Sequence, residues 1–189
     1  MRFRKWYYII AAVLSSCQLV GKHGDNLDTS MVHNHILLAP ADSAGYVTCI
    51  TTGNITPNQL LAYADSLKGI PYSTASTDPK YGLDCSGFVA CVFNHFHIAV
   101  PRSSVDYTFM HRQIPLKDAK PGDLILFTGT DSTERVVGHM GIVTSAAGSA
   151  VKFIHSTSGK NKGVVETAMD GYYLSRYIKT ISIFPQNGK

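Results

Sequence analysis

The sequence predicts an α+β domain in which N-terminal helices pack on a mostly antiparallel sheet. Two observations predict it. Capped, amphipathic segments crowd residues 56–110, and alternating or apolar runs bounded by turn residues fill 123–184. Helices first and strands after is the order of an α+β fold rather than of repeated βαβ units. The length, 189 residues, suits one domain with a real core and not two.

The first helix is well punctuated: Thr56 caps it, Pro57 suits its first position and Gly69 ends it. Leu60, Leu61, Ala64 and Leu67 form its apolar face. A loop of small and turn residues covers 70–83. The second helix starts at Asp84, whose carboxylate can accept from the amides of Ser86 or Gly87. Cys85 begins its apolar stripe, which continues through Phe88, Val89, Val92 and Phe96. A third helix is expected near Ser103, after Pro101 and Arg102. Strands are expected over 123–127, 139–145, 150–156 and 178–184. The turn Ala146-Ala147-Gly148 suits a three-residue hairpin loop. It would set Val143 opposite Val151, Gly141 opposite Phe153 and His139 opposite His155. The face bearing the two histidines would then pack on the Cys85 helix.

The amino terminus reads as a targeting segment. Arg2, Arg4 and Lys5 are followed by an apolar run over 7–14 that is too short to span a bilayer. Leu14-Ser15-Ser16-Cys17 resembles the lipobox of bacterial lipoproteins, in which the cysteine is lipidated and becomes the first mature residue. This divides the chain into a signal peptide (1–16), a lipidated Cys17 with a tether (17–45) and a domain (46–189). The alternative is a plain secretory signal with Cys17 incidental. Residues 18–45 are polar apart from Ile36-Leu37-Leu38, and leave no room for an accessory domain. His33 and His35 lack partners at ligand spacing and read as solvated linker, so no metal and no cofactor is expected.

The formal charge is +4, from 17 basic and 13 acidic side chains. The three basic residues of the signal segment account for most of that excess. The remainder lacks the basic field of a nucleic-acid binder.

With Cys17 assigned to lipid, Cys49, Cys85 and Cys91 remain, an odd number that suggests a reactive thiol. Cys85 and Cys91 lie about 9 Å apart along one helix, too far for a disulfide. Cys49 and Cys91 read as small buried hydrophobes. Cys85 sits in the first turn of its helix, where amides and the dipole favour a thiolate. Its backbone amide can hold an oxyanion. A structural cysteine at a helix start is the alternative. His139 tips the balance, since a histidine at a strand end can reach a helix terminus, and His155 on the next strand can orient its ring. About 4 Å between the Cys85 sulfur and a His139 nitrogen is the expected geometry.

These residues resemble the NlpC family of cell-wall cysteine peptidases. The matching runs are Asp84-Cys85-Ser86-Gly87-Phe88-Val89, Pro101-Arg102-Ser103-Ser104, Pro121-Gly122-Asp123-Leu124, Gly138-His139-Met140-Gly141-Ile142-Val143 and Ile154-His155. They fall in family order over roughly 56–184. The resemblance implies a papain-like fold in rearranged order. It implies hydrolysis of peptidoglycan stem peptides, typically at the γ-D-glutamyl bond to a diamino acid. Cys85 is then the nucleophile, His139 the base and His155 the ring-orienting residue. Tyr72 matches a tyrosine that faces the nucleophile. Asp84 and Ser86 match positions that bind a free N-terminal amine in some relatives, although helix capping also explains Asp84. Arg102 carries no role beyond an ion pair or cap.

Two departures border the expected groove: Ser73-Thr74-Ala75-Ser76 where Trp-Gly-Gly is common after the tyrosine, and Tyr107 near a common glutamine. The expected protein is a monomer, lipid-anchored in the cell envelope. The alternatives are an amidase that cuts between sugar and peptide, and a non-catalytic envelope protein that binds stem peptides.

Overall fold

The computed structural model describes residues 36–188. The expected signal segment, Cys17, the histidines at 33 and 35, and most of the tether lie outside them. Two helices come first, α1 (Pro57–Ser66) and α2 (Cys85–His95). The strands follow: β1 (Gln113–Ile114), β2 (Leu124–Thr128), β3 (Val137–Val143), β4 (Lys152–Thr157), β5 (Gly163–Ala168) and β6 (Tyr177–Ile181). A short helix, α3 (Gly171–Arg176), joins β5 to β6. The strands form one antiparallel sheet in the order β1-β6-β2-β3-β4-β5. Among the described residues no helix is long and apolar enough to cross a membrane.

The helix starts follow from their caps. Thr56 accepts from the Gln59 amide while the Gln59 side chain accepts from the Thr56 amide, a reciprocal box that satisfies two orphan donors. Asp84 accepts from the Gly87 amide. At Gly87 a Cβ would lie 2.0 Å from the Ser76 carbonyl oxygen. The glycine therefore serves close packing of the 73–76 loop on the helix, rather than an open surface beside Cys85.

Alternation along the strands splits the core between the two faces of the sheet. Leu124, Leu126, Met140, Ile142 and Ile154 pack with α1 and α2. Ile125, Phe127, Val143 and Phe153 face the other way and pack with Tyr173 of α3. Because both faces are covered, β2 is buried at every residue, and it reads as an unbroken apolar run.

Four sequence expectations need correction. The segment after Ser103 is a 3-10 helix, Ser104–Phe109, with no side-chain cap. Its Tyr107 is fully buried and donates to the Pro101 carbonyl at 3.1 Å, which holds the turn tight. The strand expected to reach 184 ends at Ile181, although Ile183 and Phe184 continue into the core. The chain is already attached to the body before residue 46: Asn94 bonds both backbone groups of Leu37, at 3.1 and 3.0 Å, and Leu38 pairs with Val100. Ile36 packs against the core, while Leu37 and Leu38 stay exposed and are held through their backbone.

The fourth correction is the hairpin register. Val143 pairs with Phe153 and Ile142 with Ile154, two residues away from the expected alignment. Gly148 does take the positive φ of +76° expected of it, but the turn closes from Ala146 to Ser149. Ser145 spends its hydroxyl on the Lys152 amide instead of pairing with Ser149. An even shift preserves the alternation, so His139 and His155 stay on one face. That face is the α3 face: His139 pairs with Phe127, which packs in the second core cluster. The α2 helix packs on the opposite face, through Met140 and Ile142, and not on the histidine face as expected.

Candidate active site

The thiol reaches the histidines because β3 and β4 part company. Their ladder holds only at Ile142/Ile154 and Val143/Phe153, and toward His139 the two strands separate. The amino end of α2 is seated at that opening. The Ser156 hydroxyl of β4 donates to the Leu83 carbonyl at 2.6 Å, and Cys85 Sγ lies 4.0 Å from the Gly138 carbonyl oxygen of β3. This contact places the sulfur beside the residue that precedes His139. Cys85, His139 and Tyr72 line a single cavity of 530 Å³.

The two histidines are joined directly. His139 Nε2 lies 2.8 Å from His155 Nδ1, and His155 Nε2 lies 2.9 Å from the Thr167 hydroxyl. Continued one step past its last pair, this register would set Gly141 opposite His155, with His139 as its diagonal neighbour. A Cβ at 141 would sit 3.1 Å from His155 Cβ and 2.8 Å from the Phe153 ring. Glycine at 141 therefore clears the strip of sheet across which the two rings meet. Neither Gly141 nor Thr167 was identified as a site residue from sequence. Thr167 lies on β5, a strand of mixed polarity that alternation did not reveal. The glycine was visible in Gly138-His139-Met140-Gly141, but its purpose depends on the register.

Two tautomer sets satisfy the row, since the Thr167 hydroxyl can accept from His155 or donate to it, and one of them leaves a lone pair facing away from the row. With the proton on Nε2 of both rings, His139 donates to His155, His155 donates to Thr167, and His139 Nδ1 keeps a lone pair. Both rings are neutral at physiological pH. Burial pushes His139 well below the usual imidazole range, with His155 and the Arg176 guanidinium adding to the effect. Burial, then Arg176, pushes His155 down to about 4. Burial also pushes the Cys85 thiol up, and Asp84 adds to this. The Ser86, Cys85 and Met140 amides pull the other way without reversing it. The resting pair is thus thiol and neutral imidazole, not the thiolate expected from the helix position.

Asp84, Ser86 and Arg102 form a knot behind the thiol. Arg102 donates to both Asp84 oxygens, at 3.2 and 2.7 Å, and to the Ser86 hydroxyl at 2.9 Å; Ser86 donates to Asp84 at 3.3 Å. Asp84 and Ser86 are buried, and they lie outside the residues lining the cavity. Arg102, for which sequence offered no role beyond an ion pair or cap, is the partner that allows a carboxylate to be buried next to Cys85. Tyr107 borders this knot rather than the cavity. Its bond to the Pro101 carbonyl fixes the residue before Arg102. Burial keeps the Tyr72 phenol protonated well into the alkaline range, with Cys85 and Asp84 contributing, so it is available as a donor. Cys91 is remote from this chemistry: its sulfur lies 3.9 Å from the Tyr63 hydroxyl, and it packs against the core. Among the described residues no three His, Cys, Asp or Glu side chains group as a metal site.

Residues 69–182 match the NlpC/P60 family. The murein DD-endopeptidase MepS/murein LD-carboxypeptidase of Escherichia coli K12 is 27% identical over 172 residues, covering 89% of this chain and 85% of that protein. A γ-DL-glutamyl hydrolase of Bacillus subtilis is 26% identical over 129 residues, 68% of this chain, but the match spans only 30% of that longer protein. Among solved structures, the NlpC/p60 domain of the peptidoglycan hydrolase SagA superposes with a TM-score of 0.54 at 25% identity, over 68% of this chain and all of that one. An NlpC/P60 family protein of Bacillus cereus superposes at 0.61 with 24% identity, over 71% of this chain and 42% of that one, a likeness of fold. A family match over more than half of the chain, with a cysteine at a helix start and a histidine facing one cavity, has one meaning: the chain belongs to the NlpC/P60 family of cysteine peptidases.

Proposed function

We propose that this protein hydrolyses peptidoglycan stem peptides, cutting the γ-D-glutamyl bond to the diamino acid, and that it works from a membrane surface through a lipidated Cys17. The observation that carries the reading is that Cys85, His139 and Thr167 line one cavity while the buried His155 joins His139 to Thr167; with the row's protons on the Nε2 atoms, the neutral His139 ring keeps a lone pair on Nδ1 that can take the thiol proton.

In this reading Cys85 attacks the carbonyl carbon as its proton passes to His139 Nδ1. The Cys85 amide at the start of α2 receives the oxyanion, and the Tyr72 hydroxyl is a second donor. His139 then protonates the leaving amine, and water releases the acyl group from sulfur. His155 holds the ring and Thr167 holds His155. The Arg102 pair already satisfies the Asp84 carboxylate. Asp84 and Ser86 are therefore assigned to fixing the helix start rather than to binding an amine.

The names of the relatives support peptidoglycan as substrate: a murein endopeptidase, a glutamyl hydrolase and a peptidoglycan hydrolase. A second reading, a DD-endopeptidase cut, is favoured by the near full-length similarity to the E. coli protein. Product analysis on defined muropeptides tests both. A new amino-terminal diamino acid with a truncated acyl dipeptide supports the γ-glutamyl cut, and cleavage confined to cross-linked dimers supports the DD cut. Release of an intact stem from sugar would identify an amidase, and no product at all a binding protein.

A further inference from the structure

Arg176 is the side chain that this chemistry does not use. It lies on α3 at the cavity wall, 7% exposed. One terminal nitrogen donates to the Thr128 carbonyl at 2.9 Å and the other to the Tyr172 hydroxyl, and the guanidinium lies 4.8 Å from the centre of the Tyr172 ring. Its Nε is sealed from solvent without a partner. None of these partners carries a negative charge.

A buried guanidinium without a counter-ion is costly, and holding one carbonyl does not require a charge. Contrast Arg102, which is only half-buried and is nevertheless paired with Asp84. The cavity repeats the imbalance: among the described residues its lining includes Arg176 and Lys160 and no Asp or Glu. A cavity with two cations and no carboxylate of its own suits an anionic ligand.

The position says which part of the substrate this is. Arg176 acts electrostatically on both histidines. Tyr173, three residues earlier on the same helix, has its ring 6.4 Å from that of His139. His139 is the group that protonates the leaving amine, so α3 flanks the leaving residue. We infer that Arg176, with Lys160 at the cavity wall, forms a subsite for a carboxylate of the residue that leaves with the amine, here the diamino acid. The inference rests on the peptidase reading above for the direction of the chain. The guanidinium is a positioning and specificity group, and the thiol chemistry does not pass through it.

The test separates the two readings. Cys85→Ala protein is titrated calorimetrically with the tripeptide L-alanyl-γ-D-glutamyl-meso-diaminopimelate, and with its analogue in which both diaminopimelate carboxylates are amides. The free acid should bind about tenfold more tightly, the value of one charge-assisted contact. Arg176→Gln in the same background should bring the ratio near one. Arg176→Lys, which keeps the charge and guards against a variant that fails to fold, should retain part of the preference. Equal affinity for the two peptides, or equal weakening of both by Arg176→Gln, overturns the subsite. Wild-type turnover of the free acid is read separately. Turnover without discrimination removes the subsite and leaves the peptidase, and discrimination without turnover does the reverse.

Discussion

The two sides of the active site are built on opposite electrostatic principles. At the start of α2, charge is abundant and matched: Asp84 meets Arg102, Ser86 and the Gly87 amide, all in one knot. At the ends of β3 and β4 the working groups are neutral, held by each other and by Thr167, while the nearby charge on Arg176 has no carboxylate partner among its bonds. Paired charge sets the position of Cys85. In the proposed mechanism the buried neutral rings carry the proton, since an imidazole that must accept one cannot be charged at rest. The unmatched cation faces the cavity, where substrate brings the opposite charge.

The largest way to break this contrast is Cys85→Ala, which should lower hydrolysis by more than about a thousandfold. Thermal unfolding should stay near that of the wild type, because the change removes one sulfur at a helix start. Cys91→Ala should leave turnover running; inactivation of that variant alone would move the nucleophile.

On the histidine side, His155→Asn should lower kcat by about a hundredfold, by freeing the His139 ring. An unchanged rate would mean that the ring is oriented by something else.

Acid should weaken the neutral side selectively. Unfolded, His155 titrates near 6.5; folded, burial and Arg176 hold it near 4. Between those values the unfolded chain binds the extra proton, so this contribution to stability is complete above pH 6.5 and is lost as pH falls toward 4. The loss from His155 is on the order of 3 kcal/mol, and His139 adds in the same direction. Denaturant titrations at pH 7 and pH 4.5 read it, and the difference should shrink in His155→Asn. A stability that is flat over this range would show that the rings are not buried neutral.

Gly141→Ala sharpens the role of the register. A methyl there presses on Phe153 and His155, and should cost about 1–3 kcal/mol with a fall in kcat larger than any change in KM. The smallest effect belongs to Thr167→Val, which keeps the shape and removes the last acceptor of the row. A reduction of about tenfold is expected, and a wild-type rate would make Thr167 a bystander.

Much of this molecule was legible in its sequence. Thr56-Pro57 and Asp84 announced both long helices through capping chemistry that depends only on neighbouring residues. The apolar runs announced the central strands. Cys85, His139 and His155 stood out because helix starts and strand ends are local features too. The short pieces were not legible: β5 and α3 carry too few periodic residues, and the Ser103 segment became a 3-10 turn once Tyr107 was buried. Thr167 and Arg176 belong to those pieces, so they went unseen together.

By itself, then, the sequence determined the helix caps, the order of helices before strands, and the kinds of side chain available for chemistry, because each is set within a few residues. Tertiary structure alone decided the remainder. A turn reaching from Ala146 to Ser149 shifted the hairpin by two residues and made Gly141 the clearing between two rings. The parting of β3 from β4 let a thiol on one side of the sheet approach an imidazole on the other. Burial made the histidines neutral, the thiol reluctant and Arg176 a charge in want of a partner. Those are properties of distance and solvent exclusion between residues far apart in the chain, which no local pattern encodes.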